Sequence, residues 1–435
     1  MGQGELFTET ENLFERLCTV ETLRAGFRAV KKNGGSPGVD GISIEAYEHH
    51  LEEELARLKA ELVSWSYKPS PVRRVEIPKP NGGVRLLGVP CIRDRVLQAS
   101  LKLLLEPIFD PGFSESSYGF RPGKSQRQAI EAAQRYARSG KEYVVDIDLS
   151  KFFDRINHDR LLWRVKEKVD DKRIIRLIGI TLRSGVMSDG VTSRTTEGTP
   201  QGSPLSPLLS NIVLDELDKE LERRGLEFCR FADDANIFVG SKKAAERVMA
   251  SVTKMLERKM KLVVNREKSK VAITSAVKFL GMTIVLGAVA ISAQAMDRAV
   301  AKVNELTPRR SSHPVERTIE NFNRWYRGWS SYFEMTQYPG QFAKLEAHAR
   351  RRIRANLICN KKRRRYLARA LEKAGVRKHT AQKTAYSNNG WWALSNTFAV
   401  NRMYPNRWFE QLGMYTKSGE THDHWYSVKK RICFP

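Results

Sequence analysis

Two pairs of aspartates, each set inside a run of β-prone apolar residues, constrain this chain more than any other feature. The first lies in Lys141-Glu-Tyr-Val-Val-Asp-Ile-Asp-Leu-Ser-Lys-Phe-Phe-Asp154. Tyr143, Val145 and Ile147 alternate there with Val144, Asp146 and Asp148, which predicts a strand carrying both aspartates on one face. The second is Phe231-Ala-Asp-Asp234, between Leu226-Glu-Phe-Cys-Arg230 and Ala235-Asn-Ile-Phe-Val-Gly240. It reads as strand, tight acidic turn, strand. Adjacent carboxylates in such a setting repel unless cations neutralise them. Carboxylates from two neighbouring strands make an oxygen-rich site suited to Mg²⁺. Two such ions, about 3.5–4 Å apart, can clamp the attacking and leaving oxygens of a phosphoryl transfer. Spacing alone leaves Asp146 and Asp148 both open as the first ligand.

The charge balance points to the substrate class. The 435 residues include 75 Lys and Arg against 49 Asp and Glu, a formal charge of +26. Self-repulsion of that size implies a polyanionic partner, with nucleic acid leading because each neutralised phosphate releases counterions. A membrane-surface role lacks the lipidation motif or basic amphipathic anchor it would need. The five cysteines, Cys18, Cys91, Cys229, Cys359 and Cys433, are scattered and form no C-x-x-C pair, which suits a reducing cytoplasm. No signal peptide is evident at the N-terminus. The apolar stretch from Phe279 to Met296 is broken by Gly281, Gly287, Thr283, Ser292 and Gln294, so a buried β-hairpin is expected there and no membrane span.

Residues 11 to 65 read as helical, interrupted by Gly34-Gly-Ser-Pro-Gly38. From Tyr67 to about Gly287, short β-type runs alternate with amphipathic helices, an α+β pattern. Val75-Glu-Ile-Pro-Lys-Pro-Asn-Gly-Gly-Val-Arg85 reads as a hairpin around Asn81-Gly82, with Lys79 and Arg85 on opposite arms. Beyond residue 296 the chain turns helical and basic. Phe322, Trp325, Tyr326, Trp329, Tyr332 and Phe333 recur at helical spacing and read as a buried stripe. Arg350, Arg351, Arg352, Arg354 and Lys361-Lys-Arg-Arg-Arg365 follow almost without acids, which favours phosphate binding.

The order Asp148 to Asp154, then Gly198-Thr-Pro-Gln-Gly-Ser-Pro-Leu-Ser-Pro-Leu-Leu209, then Phe231-Ala-Asp-Asp234 resembles the group II intron-encoded reverse transcriptases. Phe231 stands where that family usually has Tyr, a difference of one hydroxyl. Asn211 and the helix to Arg224, Lys261-Leu-Val-Val-Asn-Arg-Glu-Lys-Ser269 and Lys278-Phe-Leu-Gly281 extend the similarity, which runs from about residue 20 to near 415. The resemblance implies a right-hand polymerase: fingers and palm around an antiparallel sheet, then an α-helical thumb or maturase domain. It divides the chain into an N-terminal extension (1–70), fingers and palm (71–295), thumb (296–385) and a C-terminal DNA-binding segment (386–435).

By the same resemblance, Asp148, Asp233 and Asp234 are the catalytic carboxylates and the ligands of two Mg²⁺ ions. Phe153 is the gate against a ribose 2′-hydroxyl, and Gln201, Lys79 and Arg85 contact the incoming dNTP. Arg121, in Ser117-Tyr-Gly-Phe-Arg-Pro-Gly-Lys124, is a template or nucleotide contact, although Tyr118 and Phe120 also read as packing. Arg351, Arg352, Arg354, Lys361, Lys362, Arg363 and Arg364 are expected on nucleic acid, as are Arg402 and Arg407. The last two stand beside Gly390-Trp-Trp-Ala-Leu-Ser395 and Tyr404-Pro-Asn-Arg-Trp-Phe409, which read equally as a DNA-binding element or as a hydrophobic cap. The implied partners are group II intron RNA, a template RNA–primer duplex, target DNA and dNTP. With only His422, His424 and Cys433 near the end, no Cys/His-rich nuclease is expected, and the resemblance is to the endonuclease-lacking class. Two rivals stand beside this reading: a domesticated reverse transcriptase of defence or repair, and a non-catalytic RNA-binding splicing factor.

Overall fold

The computed structural model describes residues 12–78, 84–188, 191–193, 196–200, 202–311 and 313–418. The chain divides into two compact units, Met1–Val277 and Lys278–Pro435. The first opens with helices α1 (Leu13–Leu17), α2 (Val20–Asn33), α3 (Ile44–His49) and α4 (Leu51–Val63). Then come β1 (Val72–Pro78), β2 (Val84–Val89), α5 (Ile92–Phe109), α6 (Gln126–Arg138), β3 (Tyr143–Ile147), α7 (His158–Lys166) and α8 (Lys172–Leu182). It closes with β4 (Val186–Ser188), β5 (Val191–Ser193), α9 (Ser206–Arg223), β6 (Glu227–Phe231), β7 (Asp234–Val239), α10 (Lys242–Arg258) and β8 (Lys270–Ile273).

Two four-stranded sheets organise this unit. The order β6-β7-β3-β8 is antiparallel throughout, as expected around the aspartates. The order β2-β1-β4-β5 is mixed, because β4 returns to β1 in parallel after the intervening helices. The β1–β2 hairpin has the expected antiparallel register, pairing Ile77 with Arg85 and Pro78 with Val84. Its tip, including Lys79, and the side chain of Arg85 lie outside the described residues, as does Gln201.

One apolar core runs from Leu13 to Val264, so the N-terminal helices are part of the same body as the sheets. Gly26 of α2 lies so close to α5 that a Cβ would stand 2.2 Å from Ser100 Oγ. Helix starts follow local chemistry: Ser125 and Gln128 form a capping box on α6, and Ser241 caps α10.

The second unit holds the hairpin β9 (Met282–Val285) and β10 (Ala288–Ile291), turned by Leu286 and Gly287 at positive φ. The expected hairpin is therefore present. It belongs to this unit because Gln337 and Gln341 hydrogen-bond to its Val289 and Ile291 backbone at 2.8–3.1 Å. Helices α11 (Ala293–Leu306), α12 (Val315–Tyr332), α13 (Gly340–Cys359), α14 (Arg364–Lys373), α15 (Lys378–Ala385), α16 (Trp391–Leu394), α17 (Phe398–Met403) and α18 (Asn406–Gln411) complete it. The aromatic stripe of α12 packs inward in part: Phe322 and Tyr326 are fully buried and stacked at 4.9 Å, whereas Tyr332, near the end of the helix, is exposed. Glu346 of α13 is also fully buried. It accepts from Tyr326 Oη, from the Lys417 and Ser418 amides and from the Ser418 hydroxyl, which ties the segment around 417 to the helices. Among the described residues no helix is long and apolar enough to cross a membrane.

Candidate active site

The register of the antiparallel sheet brings the two acidic pairs together. Asp146 of β3 faces Asn236 of β7, and Ile147 faces Ala235. Asp148 follows β3 directly and Asp234 opens β7, so the same register carried one step further sets these two opposite each other. Directly paired residues share a face, so Asp146, Asp148, Asp234 and Asn236 lie on one side while Val145 and Ile147 enter the core. Asp233 occupies the turn between β6 and β7, after Ala232, whose φ of 57° is left-handed. Asn236 is fully buried and donates to Asp234 Oδ1 at 3.2 Å.

The backbone at Asp148 is fixed from the β8 side. Its amide donates to Ser269 Oγ at 3.0 Å, and its carbonyl accepts from the Asn265 amide at 2.9 Å. Lys268 Nζ is 3.6 Å from Asp148 Oδ2, with the lysine side chain largely exposed. The sequence marked Lys261 to Ser269 as a motif without giving Lys268 or Ser269 a role; these contacts supply it.

Phe153 follows on a short helical turn, half-buried against the core, its ring edge-on to Phe152 at 5.3 Å. The Gly198-Thr-Pro segment docks beside it. The Thr199 amide donates to Phe153 O at 2.6 Å, and the Gly198 amide donates to Ile156 O at 2.8 Å. Gly198 has φ +87°, and a Cβ there would stand 2.8 Å from Asp154 O. Across the same segment, Gly202 approaches β2 so closely that a Cβ would meet Gly88 O at 2.7 Å. The strand carrying Arg85, the loop leading to Gln201 and the turn carrying Phe153 therefore converge. Between them is a cavity of about 300 Å³ whose lining includes Arg74, Gly88, Lys151, Asp154 and Thr199.

The turn at Asp233 rests on a buried polar network that sequence reading missed. Arg230 is 1 % exposed and Asp218 fully buried. Arg230 Nε lies 2.8 Å from Asp218 Oδ1, and its terminal nitrogens donate to Asp218, Asn211 Oδ1, Ser117 Oγ and the carbonyl of Ala232 at 2.6–2.9 Å. The one available signal was spacing: Asn211, Asp215 and Asp218 fall at i, i+4 and i+7 along α9. Burial and the nearby Asp218 charge raise the Asp215 carboxyl to about 6. Its Oδ1 has no partner.

The expected nucleic-acid residues separate into two groups. Arg121 is buried and donates to Asp110 and to the Ser114 and Ser117 carbonyls, holding the loop that precedes α6. In the second unit Arg354 is buried against the Tyr404 carbonyl, and Arg352 donates to the Thr307 and Asn304 carbonyls. Arg351 stacks on Trp392 at 3.9 Å and Arg364 on Trp391 at 4.4 Å. The Trp391–Trp392 element thus sits on arginines of its own chain, with Leu394 in a small core. Lys362, Arg363, Arg402 and Arg407 are exposed, and Lys361 is partly so.

No three His, Cys, Asp or Glu side chains among the described residues cluster as a ready metal cage. Mg²⁺ does not need one: it is commonly held by one or two carboxylates, with water and substrate phosphates completing the octahedron. The oxygen-only donors on the β3–β7 face fit that demand.

Residues 77–284 match the family model described as reverse transcriptase (RNA-dependent DNA polymerase). Residues 296–375 match the group II intron maturase-specific domain. Protein YkfC of Escherichia coli (strain K12) is 33% identical over 293 residues, covering 58% of this chain and 77% of that protein. A COX1/OXI3 intron 2 protein of Saccharomyces cerevisiae is 33% identical over 267 residues, 59% of this chain and 30% of that protein. The group II intron-encoded protein LtrA of Lactococcus lactis subsp. cremoris is 33% identical over 227 residues, 52% of this chain and 37% of that protein. The chain thus spans about a third of the length of the latter two.

Proposed function

The chain belongs to the group II intron-encoded reverse transcriptase and maturase family, and on that footing we propose that it extends a DNA or RNA primer on intron RNA and binds that RNA to assist splicing and retrohoming. What supports the polymerase reading is the β3–β7 register, which pairs Asp146 with Asn236 and Ile147 with Ala235 and so brings the ends carrying Asp148 and Asp234 together, with Asp233 on the adjoining turn.

In the proposed reaction the primer 3′-oxygen attacks the α-phosphorus of a dNTP. A P–O bond forms there, the bond to pyrophosphate breaks, and the hydroxyl proton leaves to solvent. Asp148, Asp233 and Asp234 would hold two Mg²⁺ ions, which supply charge neutralisation at the attacking and leaving oxygens. The chain's own part is positioning. Lys79 and Arg85 hold the triphosphate, the first as a point charge and the second as a bidentate fork. Phe153, held by the Thr199 amide at its carbonyl, packs against the sugar and disfavours a 2′-hydroxyl, and Gln201 orients the nucleotide. The exposed Lys362, Arg363, Arg402 and Arg407, with the partly exposed Lys361, contact phosphates of the template–primer duplex, intron RNA or target DNA by charge and A-form shape.

Primer extension on an RNA template with Mg²⁺ and dNTPs, comparing the unaltered chain with Asp233→Ala, tests this. Full-length DNA from the unaltered chain alone is expected, with RNA binding retained in both. A folded, RNA-binding chain that makes no DNA would sink the polymerase reading and promote a non-catalytic splicing factor.

A further inference from the structure

We propose that Arg230 is a positioning residue for polymerisation: its buried guanidinium clamps the Ala232–Asp233 peptide, and Asp218, Asn211 and Ser117 hold the guanidinium in place. The proposal rests on the polymerase reading above.

An arginine this deeply buried needs a reason. Its charge is met by Asp218 at 2.6 Å. Yet a buried ion pair is commonly no more stabilising than a well-packed apolar pair of the same volume, so stability alone does not explain it. What an apolar pair cannot do is donate to a carbonyl. All three guanidinium nitrogens are engaged, and one of the terminal pair reaches Ala232 O at 2.8 Å. That carbonyl belongs to the peptide leading into Asp233, on a residue held in the left-handed region that non-glycine residues avoid.

The same network reaches the turn by a second route. Asn211, which accepts from Arg230, donates through Nδ2 to Gly119 O at 2.9 Å. Gly119 lies against the Ala232 amide with no room for a side chain. The loop is also laid along β6, with the Tyr118 amide on Arg230 O and the Arg230 amide on Ser116 O, both at 2.9 Å. Charge neutrality, hydrogen bonding and steric contact therefore converge on two residues of backbone. Arg230 touches none of the reacting atoms; it acts through the turn.

The test compares the unaltered chain with Arg230→Lys and with the double variant Arg230→Met, Asp218→Leu, which removes both charges and strands neither. Four quantities are read: Tm, template–primer affinity, kcat with KM for dNTP, and hydrogen exchange of the amides from 231 to 235. DNA synthesis by the unaltered chain is the control that separates failure of this proposal from failure of the polymerase reading. The expected result is a double variant that folds and binds template–primer as before, with KM within about twofold. Its kcat falls about 100-fold, the scale of a 1 Å misplacement, and exchange at the turn quickens. Arg230→Lys moves the same way. A double variant with unaltered kcat, or one that loses template–primer affinity or KM alone, overturns the proposal. Should the charge variants not fold, Ser117→Ala removes one guanidinium partner and strands no charge. A kcat drop of about fivefold at constant KM then supports the clamp, and an unchanged kcat overturns it.

Discussion

Replacing Gly119 by alanine probes how firmly the acidic turn is placed. A Cβ built on Gly119 stands 2.2 Å from Ala232 N, 2.9 Å from Phe231 C and 3.1 Å from Ala232 Cα. The closest contact falls short of ordinary van der Waals separation, 3.4 Å, by 1.2 Å. All three neighbours are backbone atoms, so no side chain can swing aside; either the 116–119 loop or the turn moves. Overpacking of this kind costs about 1–3 kcal/mol. Gly119 is not in the left-handed region, so alanine should recover up to about 1 kcal/mol through the unfolded chain. A net loss of about 1–2 kcal/mol lowers Tm by about 2–6 °C for a body of this size. The larger effect is on rate: a displacement near 1 Å at Asp233 should cut kcat about 100-fold. Thermal unfolding and single-nucleotide extension on the same samples measure both. Gly119→Ala at the unaltered rate, whatever its Tm, would refute the idea that this contact sets the turn.

Three further outcomes are expected. Gly328, inside the C-terminal half of α12 with nothing within 4 Å of its would-be Cβ, is a site where Gly328→Ala should stabilise by about 0.5–1 kcal/mol in urea unfolding. Asp215, raised to about 6 chiefly by burial, is ionised in the folded chain at a cost that is absent below its ordinary value of 3.8 and complete above 6. Asp215→Asn should therefore match the unaltered chain near pH 4 and exceed it at pH 7.5. The gain should be about 1–2 kcal/mol after discounting for solvent screening, and urea midpoints at the two pH values would show it. Glu346→Ala strands the buried Arg350, 3.9 Å away, along with the donors around 417. A loss of about 3–5 kcal/mol is expected, read from tryptophan fluorescence as Trp325 and Trp329 become exposed.

The site's acidic half was legible because a two-residue period and a two-residue turn fix which face each aspartate takes. The hairpin at 282–291 and the stripe on α12 were legible for the same reason: local periodicity decides them. The fate of the arginines was not. Arg121, Arg352 and Arg354 lie in motifs and basic runs that read as phosphate contacts, yet they donate to oxygens of their own chain: Asp110 and backbone carbonyls for Arg121, the Thr307 and Asn304 carbonyls for Arg352, and the Tyr404 carbonyl for Arg354. Arg351 and Arg364 lie over tryptophans 41 and 27 positions downstream, distances at which no local period applies. Arg230 was quoted beside the acidic turn without a role, because Ser117 is 113 residues away from it in sequence.

The strand order β6-β7-β3-β8 also shapes how the molecule is made. β3 is synthesised well before either neighbour, and β8 ends at Ile273. At about 5–20 residues per second, the roughly 130 residues between Tyr143 and Ile273 take about 6–26 s to emerge. Until β7 is complete at Val239 both edges of Val144, Val145 and Ile147 are open, and the β8 edge stays open to the end of the interval, leaving a β-prone segment of the kind that pairs with other nascent chains. Asp146 and Asp148 lie within and beside it. Charges in such positions act as gatekeepers against aggregation, so Asp148, proposed to serve chemistry in the finished protein, would with Asp146 first keep its own strand soluble on the ribosome.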